Sequence, residues 1–230
     1  MPPLAIQTGR RGLRELAYLT IRDAIVSLRI APGERLTEES LSAELGVSRP
    51  VLREALQRLQ FDQLIDRLAN GRLRVRPITL DEVAHLYAVR SALEQLAVRE
   101  ASTKLTPTRT ADLAACIDDM RAAQRNRDDR RFLAAGGEFH RLLASTAANP
   151  INEHLMDQIR TQLDRLRHVS LQVSARPHES ISEHTAILAA LEAGDAEAAT
   201  AAMDAHIQSG CAAARQAIAA YIAGTDGPNS

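Results

Sequence analysis

Between Thr37 and Arg76 the chain carries a run of local signals that few folds satisfy together. Thr37 precedes a short helix, with Glu38 and Glu39 suited to its positive end and Leu41 and Leu45 as its buried face. Gly46 stops that helix where a left-handed residue is wanted. Ser48 is placed to cap the next one, Arg49 to about Asp62, whose Val51, Leu52, Ala55, Leu56 and Leu59 recur at helical spacing. Residues 63–67 and 72–76 read as two short strands, and Asn70-Gly71 between them is a hairpin signal. Upstream, Leu16, Leu19, Ile21, Ile25 and Leu28 stripe a helix over residues 13–28, which Ala31-Pro32-Gly33 ends; residues 1–10 read as a mobile tail. Together these elements predict a winged helix-turn-helix over residues 10–78, closed by Pro77.

The rest of the chain must build its core differently. Aromatic residues make up only 3% and there is no Trp, so Leu, Ile, Val and Ala carry the packing, a diet that favours helices. Thr79 can cap a helix to about Ser102, and Thr106-Pro107 opens a second to about Asp128. A third runs from about Arg130 to Ala147, and Asn149-Pro150 opens a fourth to about Val173. A fifth spans residues 177–193, and Gly194-Asp195 separates it from a sixth ending near Gly224. The fold class is therefore mainly α: the winged helix-turn-helix, then an all-α antiparallel bundle of six to seven helices over residues 79–224.

The net charge of −1 hides an uneven distribution. Residues 1–78 hold 13 Arg and 9 acidic residues, a balance of +4, which leaves −5 for the remainder; all seven His lie in that acidic part. A basic block suggests a polyanionic partner. No apolar run approaches the ~20 residues that span a bilayer. The first residues lack the pattern of a signal peptide, and two Cys fit a reduced, cytoplasmic chain.

A helix followed by a second, Arg-bearing helix suits the major groove, where N-terminal residues of the second meet base edges. Ser48, Arg49 and Arg53 stand near the start of that helix, and Asn70, Gly71 and Arg72 at the hairpin tip, with Arg74 farther on. The hydroxyl and helix N-terminus suit phosphate, either Arg could pair with guanine, and the tip could reach phosphates or a minor groove. A protein-binding module with solvated arginines would show the same geometry.

Ala31 through Arg49 (Ala-Pro-Gly-Glu-Arg-Leu-Thr-Glu-Glu-Ser-Leu-Ser-Ala-Glu-Leu-Gly-Val-Ser-Arg), Leu52-Arg-Glu-Ala-Leu56, Leu64-Ile-Asp-Arg67 and Val75-Arg-Pro77 resemble the DNA-binding domain of the GntR family. The resemblance implies a dimeric regulator whose recognition helix and wing contact operator DNA. Pro50 departs from the pattern, standing where a hydroxyl residue commonly touches phosphate. Proline is tolerated near a helix start, so the fold survives while that contact is put in doubt.

The acidic half places His140, His184 and His206 on its third, fifth and sixth helices, each with apolar neighbours within a turn. Imidazoles from several helices can ligate a divalent transition metal, and three unrelated histidines would leave the same sequence. Tyr87-Ala-Val-Arg-Ser-Ala-Leu-Glu94, Glu138-Phe-His-Arg-Leu-Leu143, Asn149-Pro150, Glu183-His-Thr-Ala-Ile-Leu188 and Ala193-Gly-Asp-Ala196 resemble the FCD effector domain of the FadR-like branch. That resemblance implies a metal, Zn or Ni, on His140, His184 and His206, with a fourth ligand from an aspartate four residues before the first. Gly136 occupies that position, which leaves three outcomes: metal on the three imidazoles plus water or an effector carboxylate, metal held more weakly, or no metal, with His140, His184 and His206 hydrogen-bonding an anionic effector directly. Glu138 cannot substitute, because two residues from His140 it points away. The alignment also makes Arg90 the candidate for an effector carboxylate, against a surface pairing with Glu94 at i+4.

The expected protein is a homodimeric repressor that binds operator DNA and senses a small carboxylic acid. A metal-dependent enzyme using the three histidines and a non-specific architectural DNA binder are the alternatives.

Overall fold

In the computed structural model, residues 8–173 and 177–225 are described. They cluster into two compact units divided between Ile78 and Thr79. The first contains α1 (Thr8–Val26), β1 (Arg35–Leu36), α2 (Glu38–Leu45), α3 (Arg49–Phe61), β2 (Ile65–Arg67) and β3 (Leu73–Val75). The second contains α4 (Leu80–Ser102), α5 (Pro107–Arg125), α6 (Asp129–Ala147), α7 (Pro150–Val173), α8 (Pro177–Glu192) and α9 (Ala196–Thr225).

Capping chemistry sets most boundaries. Thr37, Thr79 and Thr106 each accept a backbone N–H from the first turn of the helix they precede, as expected. Gly46 adopts φ 63°, the left-handed conformation that lets α2 stop within one residue. Ser48 differs from its expected role: it has the extended backbone of a cap, but its hydroxyl makes no capping hydrogen bond. Pro50, the second helical residue, has no N–H to give, but Val51, three positions from Ser48 as in the other three caps, has one, so the proline does not account for the unmade bond.

The first unit differs from the sequence reading at four further points. Helix α1 includes Thr8–Arg10, part of the expected tail, while residues 1–7 lie outside the described residues. It stops at Val26, short of the expected Leu28, which takes φ 61°. The buried stripe is also rotated: Ala17, Tyr18, Ile21, Ala24 and Ile25 face inward, whereas Leu16 is 61% exposed. Finally, Arg35–Leu36 adds a strand, giving an antiparallel sheet of order β1-β3-β2.

The core of this unit joins α1, α3 and the sheet through Ile21, Ile25, Leu52, Leu56, Leu59, Leu64, Ile65 and Val75. Tyr18 ties α1 to the end of α3, donating to Asp62 at 2.6 Å while the Arg58 guanidinium lies 3.7 Å over its ring. In the second unit α4, near the centre of the bundle, packs on α6, α7 and α9. Helix α5 pairs with α6 and α8, and α8 with α9. Phe139, Leu113, Met120, Leu143 and Leu163 fill the interior with essentially no exposure. This arrangement turns one face each of α4, α6, α8 and α9 toward a common space.

Candidate functional site

That space holds the three histidines. His140 comes from α6, His184 from α8 and His206 from α9; all are buried, and their candidate ligand nitrogens lie within 4.8 Å of one another. Each ring is oriented from behind. His140 Nδ1 donates to Glu94 Oε2 at 2.9 Å, His206 Nδ1 to Glu183 Oε2 at 2.8 Å, and His184 Nδ1 to the Ser180 carbonyl at 2.6 Å. All three partners are acceptors, so every proton sits on Nδ1 and every Nε2 lone pair is free to face inward.

The electrostatics agree with neutral rings. Burial pushes His140 down to about 4 against the pull of Glu94, with Arg90 and His184 adding to the fall. Burial and then His206 push His184 down to about 3. Burial likewise takes His206 to about 4, against its bond to Glu183. Burial would raise Glu94, but His140 and Arg90 together hold it well below the usual carboxylate range.

The inward lone pairs are short of donors. His140 and His206 present Nε2 to Nε2 at 3.2 Å, and the buried Nε2 of His184 has no hydrogen-bond partner among the described residues. Arg90 Nη2 lies 3.2 Å from His140 Nε2 and is the donor there. Three imidazoles fixed by outer acceptors, with lone pairs converging, fit a divalent transition metal.

Arg90 makes the pairing with Glu94 that the i+4 spacing offers, but not at the surface. Its Nε donates to Glu94 at 3.2 Å, yet the pair is buried, and the guanidinium lines the cavity of about 140 Å³ that the histidines border. Gly136 lines it too: a Cβ there would lie 3.9 Å from His184 Nε2. Position 136 therefore faces the cluster but supplies no ligand. Glu138 turns outward to pair with Arg141. The cavity also contains Arg167 of α7 and Gly137, which the sequence reading did not single out. The sequence reading takes Glu94 only as a partner of Arg90, not of His140, and gives Glu183 no orienting role. The adjacency Glu183-His184 and the Arg90/Glu94 spacing were the available signals.

In the first unit, Ser48, Arg49, Pro50 and Arg53 form an exposed edge at the start of α3. Arg53, itself exposed, pairs at 2.8 Å with the half-buried Glu38, a contact near the surface that is easily exchanged. Arg49 and Arg72 make no ion pair among the described residues. The hairpin tip is a three-residue loop rather than the two-residue turn expected from Asn70-Gly71. Leu68 and Arg72 close it, Gly71 takes φ 79°, and Asn70 Oδ1 accepts the Arg72 N–H at 3.1 Å. Arg67 donates to the Gly71 carbonyl, bracing the tip.

Two family profiles match the chain: "Bacterial regulatory proteins, gntR family" over residues 13–75 and "FCD domain" over residues 85–209. The Nta operon transcriptional regulator of Aminobacter aminovorans is 32% identical, covering 71% of this chain and 78% of its own. The HTH-type transcriptional repressor RspR of Escherichia coli is 28% identical over 83% of this chain and 84% of its own. Among solved structures, a GntR transcriptional regulator from a Rhodococcus species superposes with a TM-score of 0.73 at 26% identity, covering 91% and 99% of the two chains. No helix among the described residues is long and apolar enough to cross a membrane.

Proposed function

This chain belongs to the gntR family of bacterial regulatory proteins and carries an FCD domain, and from that premise we propose that it is a homodimeric repressor released from its operator by a small carboxylic acid. The family is one of DNA-binding transcriptional regulators, not enzymes, so the metal-dependent enzyme that three histidines alone left open is set aside.

The observation that carries the sensing half is the buried meeting of Arg90 with three inward-facing Nε2 atoms on one cavity. His140, His184 and His206 would hold Zn or Ni, and the bound ion would offer Lewis acidity to a carboxylate oxygen. Gly136 leaves the fourth position to water or to the effector itself. Arg90 supplies the fork that clamps the carboxylate, and Glu94 keeps that fork aimed.

Homodimer formation is supported by exposed apolar stripes on two helices that pack together, Val89 and Leu96 on α4 and Ile151 and Leu155 on α7. Helix α4 thus carries Arg90 on its inner face and Val89 on its outer face, and it begins five residues after β3 ends. An acid that pulls on Arg90 biases the helix that also joins subunits, which is the coupling a regulator needs. On the DNA side, Arg49, Arg53 and Arg72 are the candidates for bases or phosphates, with Ser48, Asn70 and Gly71 positioning the backbone. Pro50 stands on the same edge and cannot donate from its backbone.

Gel-shift titration of the protein on its own promoter fragment, against random DNA of equal length, tests this reading. Selective binding that falls on adding a carboxylic acid, and stays intact in Arg90→Ala, is the expected result. Equal affinity for both DNAs, unaffected by any acid, points to the architectural binder instead.

A further inference from the structure

A second arginine lines the cavity. Arg167 enters from α7, and Gly137 of α6 leaves the space above it open: a Cβ at 137 would lie 3.8 Å from Arg167 Nη1. The neighbouring Gly136 does the same at the histidine end, 3.9 Å from His184 Nε2. Both glycines are inside a continuous helix, where each costs about 1 kcal/mol relative to alanine. Neither has the positive φ that would otherwise explain a glycine. What the pair provides is a bare strip of helix backbone running from the histidines to Arg167.

We propose that Arg167 is a second anion anchor and that the cavity takes a compact dicarboxylate, lying across Gly136 and Gly137 with one end at Arg90 and the histidines and the other at Arg167. The proposal rests on the acid-sensor reading above and narrows it to a ligand class. Charge favours it. Arg90 is neutralised by the buried Glu94, whereas Arg167 pairs at 3.0 Å with Asp164, whose side chain is 42% exposed and screened by water. The cavity is thus left with an excess of positive charge at the Arg167 end. Burial and then the Arg90 charge disfavour the charged form of Arg167, a penalty that a facing carboxylate relieves. Size favours it as well. A cavity near 150 Å³ takes a molecule of about benzene's bulk, so the 140 Å³ here suits a short diacid and rejects a long acyl chain.

Calorimetric titration of the full-length protein, nickel-loaded, with malonate, succinate, glutarate and adipate tests the proposal. Each is compared with the monocarboxylate of the same carbon number. At least one diacid is expected to bind tenfold or more tighter than its monoacid. Arg167→Gln should bring that diacid to the affinity of its monoacid and leave the monoacid unchanged. Gly137→Leu, which covers the arginine without removing it, should do the same and stands in if Arg167→Gln fails to fold. Monoacids binding as tightly as diacids overturn the proposal, as does Arg167→Gln weakening both alike, the mark of a structural role. Binding of monoacids alone leaves the acid sensor standing and sinks only the diacid. Binding of no acid sinks both.

Discussion

Placing a carboxylate at position 136 tests the metal reading where this chain departs from the pattern that the FCD resemblance implies. In Gly136→Asp the new Cβ lies 3.8 Å from Met120 Cε and 3.9 Å from His184 Nε2, ordinary contact distances, so the Cβ enters without moving the helix. Helix propensity improves by a few tenths of a kcal/mol, since Asp is somewhat better than Gly. Without metal, that gain is outweighed: a carboxylate is buried beside imidazole lone pairs that cannot donate to it, costing about 1–3 kcal/mol. With metal, the same group completes a three-nitrogen, one-oxygen set. Affinity should rise at least ~10-fold, or about 1.4 kcal/mol. At equal free metal this adds the same energy to folded-state stability, which is about 3–5 °C for a unit of this size. Melts in chelator and in excess nickel, with competition against a chromophoric chelator, measure both halves. The variant should melt below wild type without metal and gain more on loading. If it loses nothing in chelator and binds nickel no tighter than wild type, the inward Nε2 face is not a metal face and the reasoning fails.

The histidines also fix a pH dependence of the metal-free protein. Their folded values of about 4, 3 and 4 lie below the ~6.5 of free imidazole, so the unfolded chain binds more protons in that window. Stability should be flat above pH 7 and fall as pH drops from about 6.5 toward 4, by up to ~1.4 kcal/mol per unit for each histidine. Denaturant unfolding in chelator from pH 8 to 5 measures it, and a flat profile contradicts neutral rings. On the DNA side, Arg49→Ala should cost about 1–3 kcal/mol and relax sequence preference if it reads a base, whereas a phosphate contact at Arg72 should lower the salt slope by about one in Arg72→Ala. Gel shifts across a salt series separate the two roles. Leu96→Glu puts a charge into the exposed α4 stripe and should yield monomers by sedimentation equilibrium with little change in melting; an unchanged dimer would place the interface elsewhere.

Sequence alone determined what is settled within a few residues. Thr37, Thr79 and Thr106 cap helices because the oxygen and the N–H it accepts are three positions apart. Gly46 stops α2 because only its own φ is needed. The contiguous stretch from Ala31 to Leu56 identified the winged helix for the same reason, as did the Leu spacing of α3. Where a neighbour intervened, local reasoning failed. Arg35–Leu36 became a strand only because β3 offered it a partner. The site belongs wholly to the tertiary structure. His140 and His206 are 66 residues apart in the chain and 3.2 Å apart in space. Sequence could name the three histidines through resemblance, but not the side on which each holds its proton. Glu94, Glu183 and the Ser180 carbonyl decide that, and they reach the rings only when α4, α6, α8 and α9 pack. Arg167 is invisible before packing for the same reason: an arginine at a helical i+3 from Asp164 reads as a surface pair until α6 brings Gly137 to its other side.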